Sequence, residues 1–219
     1  MDIEVLTARY PRLYHMAEPG SWPSIRERGL LSTSAVLDRW KISGPSREQY
    51  ESHHRPEKVT LRSEALGAVV LRDQKPMPES RLRRCLRDDL TPQDWYQLLN
   101  AKTFFWVSEE RLTTLLNARA YRNEEHDVLV LRTEPLVRDY CDQISLCHMN
   151  SGNTFPAFVM RGLETFTRIG DYPVNRNGVP RKPVVELVVD YAVENVRDYV
   201  IEVRRMRQGT VLDILENAG

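Results

Sequence analysis

The 219-residue sequence predicts an α+β fold, a split and mostly antiparallel pair of β-sheets with surrounding helices. Short strand patterns and short helix patterns alternate along the chain without the strict strand–helix–strand rhythm of a doubly wound sheet. Neither GxGxxG nor GxxxxGK(S/T) occurs, which removes the two usual phosphate-loop folds. The length favours one domain that covers residues 1–219.

In the first half of the chain, short helices are predicted between strands. Ser21 is expected to cap a helix that has Pro23 in its first turn and ends at Gly29. The other elements are a strand at residues 13–16, a buried step at 30–31, a helix from 32–34 to about 41, a helix within 43–58, and paired strands at 59–61 and 68–72.

In the second half, caps and apolar runs alternate. Thr91 and Pro92 begin a helix that ends near residue 100, and Ser108 caps a helix with an acidic first turn. The predicted strands are 103–107, 127–131, 144–147, 184–189 and 199–203. The run at 127–131 is continuously apolar, which indicates burial on both faces. Residues 152–183 are mostly loop, and a short helix is predicted after Thr210.

The composition gives little sign of a membrane, a metal or a strongly charged partner. Lysines and arginines number 31, and so do the acids, so no overall field attracts nucleic acid or an anionic membrane. The three cysteines form no CxxC pair or even framework, which is typical of a reducing compartment. No apolar run reaches the roughly 18 residues of a membrane span. We therefore expect a cytoplasmic protein without a metal site or a membrane partner.

A candidate binding element begins with Leu13, Tyr14, His15 and Met16 and continues through a helix to a Gly-Leu-Leu-Ser step. A histidine at a strand end, close to where the helix returns, is a plausible clamp for a sugar or an amide. A lone histidine is also commonly structural, so both interpretations stay open at this point.

The stretch from Leu13 to Ser34 resembles the opening of the DarT-type ADP-ribosyltransferases, which begin with a Tyr-His strand, a short helix and a Gly-Leu-Leu-Ser step. The resemblance implies an ADP-ribosyltransferase-like domain with NAD as its substrate, and a catalytic and NAD-binding role for His15. Met16 stands where the family commonly has a hydroxyl residue. We expect Met16 and Ser32 to lie beside NAD as well.

A second candidate is Glu186, an acid within an aliphatic strand. Alternation along the strand places Glu186 on the face opposite to Val185 and Leu187. Burying a carboxylate is costly unless it has a partner or a chemical role. ADP-ribosyltransferases carry their catalytic glutamate on a late strand of this kind, so the resemblance implies that Glu186 is catalytic. A buried pair with an arginine is the structural alternative.

The remaining NAD contacts are also implied by the resemblance. Phe105 or Trp106 would replace the aromatic residue that stacks on nicotinamide in the histidine–tyrosine–glutamate branch of the superfamily, although core packing explains either one equally. Arg55 and Arg72 lie where DarT-type enzymes have an arginine near the NAD diphosphate, which a guanidinium binds bidentately. Ordinary surface ion pairs are the alternative for both arginines.

A polar loop between the middle and last strands, with Asn150, Ser151 and Asn153, is expected to contact the acceptor or simply to turn the chain. The predicted function is transfer of ADP-ribose from NAD to an acceptor. The acceptor is expected to be a DNA or RNA base, with protein left open, and an antitoxin is a conceivable partner of such a toxin-like enzyme. Two alternatives remain: NAD hydrolysis or NAD-dependent removal of an RNA 2′-phosphate on the same fold, and an inactive NAD- or nucleotide-binding module.

Overall fold

An eight-stranded sheet organises the chain in the computed structural model, which describes residues 1–156 and 158–217. The strand order is β12-β11-β6-β1-β5-β9-β7-β8, and each neighbouring pair is antiparallel. Two small antiparallel sheets, β10 with β2 and β3 with β4, lie beside it. The α+β class predicted from the sequence is confirmed.

The strands are short except for the last two. They are β1 (Arg12–Ala17), β2 (Leu30–Leu31), β3 (Val59–Ser63), β4 (Gly67–Leu71), β5 (Lys102–Trp106), β6 (His126–Arg132), β7 (Ile144–Cys147), β8 (Thr167–Arg168), β9 (Glu186–Asp190), β10 (Ala192–Val193), β11 (Val200–Arg207) and β12 (Thr210–Asn217). The α-helices are α1 (Ile3–Arg9), α2 (Trp22–Arg28), α3 (Thr33–Arg39), α4 (Gly44–Ser52), α5 (Glu79–Leu82), α6 (Pro92–Asn100), α7 (Glu109–Leu116) and α8 (Thr133–Tyr140).

The large sheet separates locally between β1 and β5. Strand β1 pairs with β6 at six positions, and β5 pairs with β9 at five. By contrast, β1 and β5 pair at one position, where Tyr14 lies opposite Trp106. The structure therefore has one eight-stranded sheet with a local gap, where the sequence predicted a split pair of sheets.

Apolar side chains cover both faces of this sheet. The largest core cluster packs Leu6 of α1, Trp22 of α2 and Leu136 of α8 against alternate residues of the strands. On the other face, Leu112 and Leu116 of α7 pack against β1 and β6. Every residue of β6 except the last is buried, so the prediction of a strand buried on both faces is confirmed.

Most of the predicted helix caps form. The side chains of Ser32, Thr91 and Ser108 each accept a hydrogen bond from a backbone amide in the first turn of their helix. Ser21 is the exception, because its hydroxyl donates to the Glu18 carbonyl at 2.6 Å and does not cap α2. Its backbone is already helical, so its side chain does not reach the amides of the first turn.

The prediction of a helix after Thr210 is wrong, because these residues form the edge strand β12. Gln208 and Gly209 both have positive φ, 52° and 76°, as the central residues of a two-residue hairpin turn require. The turn sends the chain back antiparallel to β11. Helix α8 was not predicted, because Pro135 and Thr133 obscure its short pattern. In the described part of the chain, no helix is long and apolar enough to cross a membrane.

Candidate active site

A cavity of about 1090 Å³ opens where β1 and β5 separate. Its walls come from β1, α2, α3, the β3–β4 hairpin, β5 and the loop that precedes β8. All of the site residues predicted from the sequence line it: His15, Met16, Ser32, Arg55, Arg72, Phe105, Trp106, Asn150, Ser151, Asn153 and Glu186. The structure thus brings together residues that lie up to 171 positions apart (186 − 15) in the sequence.

His15 bridges the gap in the sheet. Its Nδ1 lies 2.8 Å from the carbonyl oxygen of Phe104 on β5. Since a carbonyl accepts, the proton is on Nδ1, and Nε2 keeps its lone pair. Burial lowers the pKa of His15 to about 4, so the ring is neutral near pH 7. A neutral imidazole with an open Nε2 can accept a hydrogen bond from a hydroxyl group of a ligand.

Glu186 lies at the start of β9, opposite Trp106 of β5 and Cys147 of β7. Its side chain is 4% exposed, and both carboxylate oxygens accept from the Ser151 amide, at 3.3 and 3.2 Å. Burial raises the pKa of Glu186 to about 7, while the hydrogen bond and the charge of Arg161 oppose this rise. A carboxyl group that titrates near neutral pH is suited to proton transfer.

The structural alternative for Glu186 was a buried pair with an arginine. Within residues 1–156 and 158–217, Glu186 forms no ion pair within 4.0 Å, so its partner is a backbone amide. The direct pair with an arginine that the sequence offered as the structural alternative therefore does not form among the described residues.

The side chain of Arg55 is buried in the wall of the cavity and forms hydrogen bonds within that wall. It is 6% exposed, and its guanidinium donates to neighbouring oxygen atoms. The acceptors are the Arg72 carbonyl at 2.8 Å, the Tyr50 carbonyl, Asn100 Oδ1 at 3.2 Å and Thr33 Oγ1 at 3.4 Å. Burial lowers the pKa of Arg55 to about 10. Because its donors are engaged by the protein, Arg55 is poorly placed to bind a diphosphate.

Arg72 retains donor capacity beside the cavity. Its Nη1 lies within 3.5 Å of the Ala17 carbonyl, a carboxylate oxygen of Glu18 and Nδ1 of His126. Its Nη2 is buried and has no hydrogen-bond partner among the described residues. Its guanidinium also lies over the ring of Tyr121, 5.6 Å from the centroid. The Arg72 side chain is 20% exposed and lines the cavity, so of the two predicted arginines it is the better candidate for an anionic ligand.

The aromatic residues of β5 face in alternate directions. Phe105 is 1% exposed, belongs to the main core cluster and lies 5.8 Å from the His15 ring. Trp106 is half-buried and packs, like Met16, against the buried cluster on the opposite face. Trp106 is therefore the more accessible of the two rings. Ser32, whose Oγ accepts from the Ala35 amide at 3.1 Å, already uses its hydroxyl as a helix cap.

The loop of Asn150, Ser151 and Asn153 is folded by its own side chains. Asn150 Oδ1 accepts from the Gly152 amide at 3.2 Å, and Asn153 Oδ1 accepts from the Phe155 amide at 2.8 Å. Both asparagines thus turn the chain, as one of the two interpretations held. This folding leaves the Ser151 amide free to reach Glu186, while Ser151 Oγ is buried without a partner in the described part of the chain.

The sequence did not single out Arg161, which is 1% exposed and holds this loop in place. An arginine within the run Phe158 to Leu163, where its neighbours are apolar, is a weak signal that a search for buried charges would have found. Among residues 1–156 and 158–217, no cluster of three or more His, Cys, Asp or Glu side chains is arranged to hold a metal ion.

A family model matches most of the sequence. The model of DUF7002, a family of unknown function, aligns with residues 11–200. This range contains every residue of the site described above. No curated protein matches the chain.

Proposed function

The chain belongs to DUF7002, and we propose that it is an NAD-dependent ADP-ribosyltransferase. The observation that carries this proposal is the cavity between β1 and β5, where a neutral His15 and a buried Glu186 with a pKa of about 7 line one space. A volume of about 1090 Å³ lies just above the roughly 300–1,000 Å³ that small-molecule pockets span, and suits a dinucleotide.

Four side chains of the cavity supply the contacts that NAD needs. His15 Nε2 would accept a hydrogen bond from a ribose hydroxyl, because Nδ1 holds the proton. Arg72 would donate to the diphosphate from its partly exposed guanidinium. Trp106 would pack against the nicotinamide ring, and Met16, which packs against the same buried cluster and also lines the cavity, would add apolar contact. The local gap in the sheet supports an ADP-ribosyltransferase-like architecture, with NAD lying across it.

The chemistry assigned to Glu186 is stabilisation of positive charge and removal of a proton. The bond between the ribose C1′ and the nicotinamide nitrogen breaks, its electron pair leaves with nicotinamide, and an oxocarbenium-like ribose remains. The acceptor forms a new bond to C1′ and gives its proton to Glu186. A carboxylate beside the developing positive charge contributes a few kcal/mol to lowering the barrier. A pKa near 7 leaves a substantial fraction of Glu186 ionised at neutral pH.

The test is incubation of the protein with NAD labelled in its adenylate part, together with separate pools of single-stranded DNA, RNA and protein. We expect label in a nucleic-acid pool and release of nicotinamide. Glu186→Gln should lower nicotinamide release by about a hundredfold or more, as loss of a proton-transfer group does. The matched control is Glu64→Gln, which changes an exposed glutamate outside the cavity and should retain full activity.

The other chemistries predicted on this fold are outcomes of the same experiment. Label recovered only as free ADP-ribose identifies an NAD hydrolase, and loss of a 2′-phosphate from an RNA pool identifies a phosphotransferase. Absence of nicotinamide release, together with calorimetry that shows no NAD binding at millimolar concentration, would contradict the proposal. NAD binding without release would identify a binding module.

A further inference from the structure

Arg161 is a buried arginine without an acidic partner. It is 1% exposed and forms no ion pair within 4.0 Å among the described residues. Its guanidinium donates instead to the carbonyls of Ser151 at 2.7 Å, Asn153 at 2.8 Å and Val159 at 3.2 Å. A buried cation is costly unless hydrogen bonds compensate it. These backbone carbonyls supply that compensation, so the position of the loop and the position of the arginine depend on each other.

Ser151 connects this arginine to the candidate catalytic acid. Its carbonyl accepts from Arg161, and its amide donates to both oxygens of Glu186. Arg161 therefore binds the carbonyl of Ser151, while the amide of Ser151 binds the carboxylate of Glu186. Arg161 itself does not line the cavity, so it acts on Glu186 from behind the loop.

The rest of the framework fixes Arg161. Its amide donates to the Cys85 carbonyl at 2.8 Å, and its own carbonyl accepts from the Arg87 amide at 3.0 Å. Its guanidinium lies over the fully buried ring of Trp95, 5.7 Å from the centroid. These contacts on backbone and side chain leave the guanidinium little freedom to follow a moving loop.

We propose that Arg161 is a positioning residue, which holds the Ser151–Asn153 loop so that the Ser151 amide binds and orients Glu186. The catalytic consequence of this inference rests on the proposed function. The structural link from Arg161 through Ser151 to Glu186 rests on the observed contacts alone. The positive charge of Arg161 also lowers the pKa of Glu186 against the effect of burial.

The experiment compares Arg161→Met and Arg161→Lys with Arg83→Met, a control that removes an exposed arginine paired with Glu79 at 2.7 Å. Carbon-13 NMR of the glutamate carboxyl groups follows the titration of Glu186, and hydrogen exchange follows the Ser151 amide. Arg161→Met should raise the pKa of Glu186 and speed the exchange of Ser151 by about tenfold or more. Arg161→Lys retains the charge but not the planar fork, so it should restore the pKa of Glu186 and leave exchange fast.

The kinetic arm measures NAD cleavage against pH. In Arg161→Met we expect kcat to fall by about tenfold or more and the KM for NAD to stay within about threefold, because Arg161 does not face the cavity. The alkaline shift of the rate profile should match the NMR titration. A purely structural role would not shift the pH–rate profile, and it would not lower kcat while leaving the KM for NAD nearly unchanged.

The inference is overturned if folded Arg161→Met shows unchanged Ser151 exchange and an unchanged titration of Glu186. If Arg161→Met does not fold, Arg161→Lys decides, and unchanged exchange of Ser151 in that variant overturns the inference. If the wild-type protein does not cleave NAD, the proposed function fails, while the two NMR measurements still test the link between Arg161 and Glu186.

Discussion

The imidazole of His15 donates its Nδ1 proton to the Phe104 carbonyl at 2.8 Å, across the gap between β1 and β5. Elsewhere in the sheet, backbone hydrogen bonds join neighbouring strands. Strands β1 and β5 pair at one position, and the hydrogen bond of His15 provides a further link between them. It also fixes the tautomer of the ring. The same contact therefore ties β1 to β5 across the gap and presents Nε2 as an acceptor.

The first prediction concerns the charge of His15. Burial lowers its pKa from 6.5 to about 4, so the folded state disfavours the charged ring. The stabilising effect of a neutral His15 is complete above about pH 6.5 and is lost as the pH falls towards 4. The loss amounts to about 3 kcal/mol relative to a non-titrating variant such as His15→Gln. Nitrogen-15 NMR should show a neutral Nδ1–H tautomer down to about pH 5, and a charged ring at pH 6 would contradict this.

The second prediction concerns Glu186, whose titration should lower the stability of the protein as the pH rises, the reverse of the effect of His15. Burial raises the pKa of Glu186 from 4.5 to about 7, so the folded state prefers the protonated acid. The wild type should lose about 3 kcal/mol of unfolding free energy relative to Glu186→Gln as the pH rises from about 4.5 through 7. Urea unfolding of the wild type and of Glu186→Gln at about pH 5 and pH 8 measures the difference.

These two pH effects largely cancel in the wild-type protein, because one grows and the other fades over nearly the same pH range. A flat stability profile of the wild type alone is therefore uninformative. The comparison of each single variant with the wild type separates the two groups. If Glu186→Gln is no more stable at pH 8 than at pH 5 relative to the wild type, then Glu186 does not titrate near neutrality.

The sequence predicted local features better than distant ones. Strand β6 and the caps Ser32, Thr91 and Ser108 depend on neighbouring residues, and each was found from its pattern. The strand of Glu186 was found in the same way. The edge strand β12 was not, because its place next to β11 depends on the hairpin turn at Gln208 and Gly209.

The candidate site shows the same division. The resemblance to DarT-type enzymes, together with residue type and order along the chain, selected side chains that line one cavity. They could not separate Arg55 from Arg72, since the difference lies in acceptors such as Asn100 that are 45 positions away. Nor could they identify Arg161, whose contacts with Ser151 and Asn153 form only when the loop closes on itself.

The third prediction separates those two arginines by their effects on stability and on binding. Arg55→Met leaves the Arg72 carbonyl without a donor, and it leaves the Tyr50 carbonyl and Asn100 Oδ1 with one long donor each, Asn100 Nδ2 and Gln74 Nε2, both at 3.5 Å. An unsatisfied buried acceptor costs about 1–3 kcal/mol, so we expect a loss of about 2 kcal/mol or more. Arg72→Met should cost less stability and weaken NAD binding by about tenfold or more, since it removes a partly exposed guanidinium from the cavity wall.

Thermal unfolding measures the stability of Arg55→Met and Arg72→Met, and calorimetry measures the affinity of each variant for NAD. We expect the larger loss of stability in Arg55→Met and the larger loss of affinity in Arg72→Met. Arg55→Lys is the matched variant, because it retains the charge but cannot reach all four acceptors, and it should remain destabilised. Equal loss of NAD affinity in Arg55→Met and Arg72→Met, at equal stability, would show that the burial of Arg55 does not prevent it from binding the ligand.

The fourth prediction concerns the turn that brings α2 back to the cavity. Gly29 ends α2 with φ of 85°, and a Cβ at this position would lie 2.7 Å from the carbonyl oxygen of Glu194 and 2.9 Å from that of Val193. Both obstacles are backbone atoms of the segment that pairs with β2, so they cannot move away as a flexible side chain does. Gly29→Ala should therefore disturb the β2–β10 pair and the cavity wall that Leu30 and Leu31 form.

Gly20→Ala is the control for the backbone conformation. Gly20 has φ of 79°, yet a Cβ there would meet no atom within 4 Å. A side chain at positive φ costs about 1–2 kcal/mol, and Gly29, whose ψ of 168° places it in a region that is essentially restricted to glycine, costs about 1–3 kcal/mol. Only Gly29→Ala adds the clash, so it should unfold at a lower urea concentration than Gly20→Ala. We expect its unfolding free energy to be lower by at least about 2 kcal/mol, which is within the range for overpacked positions. Equal stability of the two variants would show that the β2–β10 segment yields, and the wall of the cavity would then be softer than its contacts indicate.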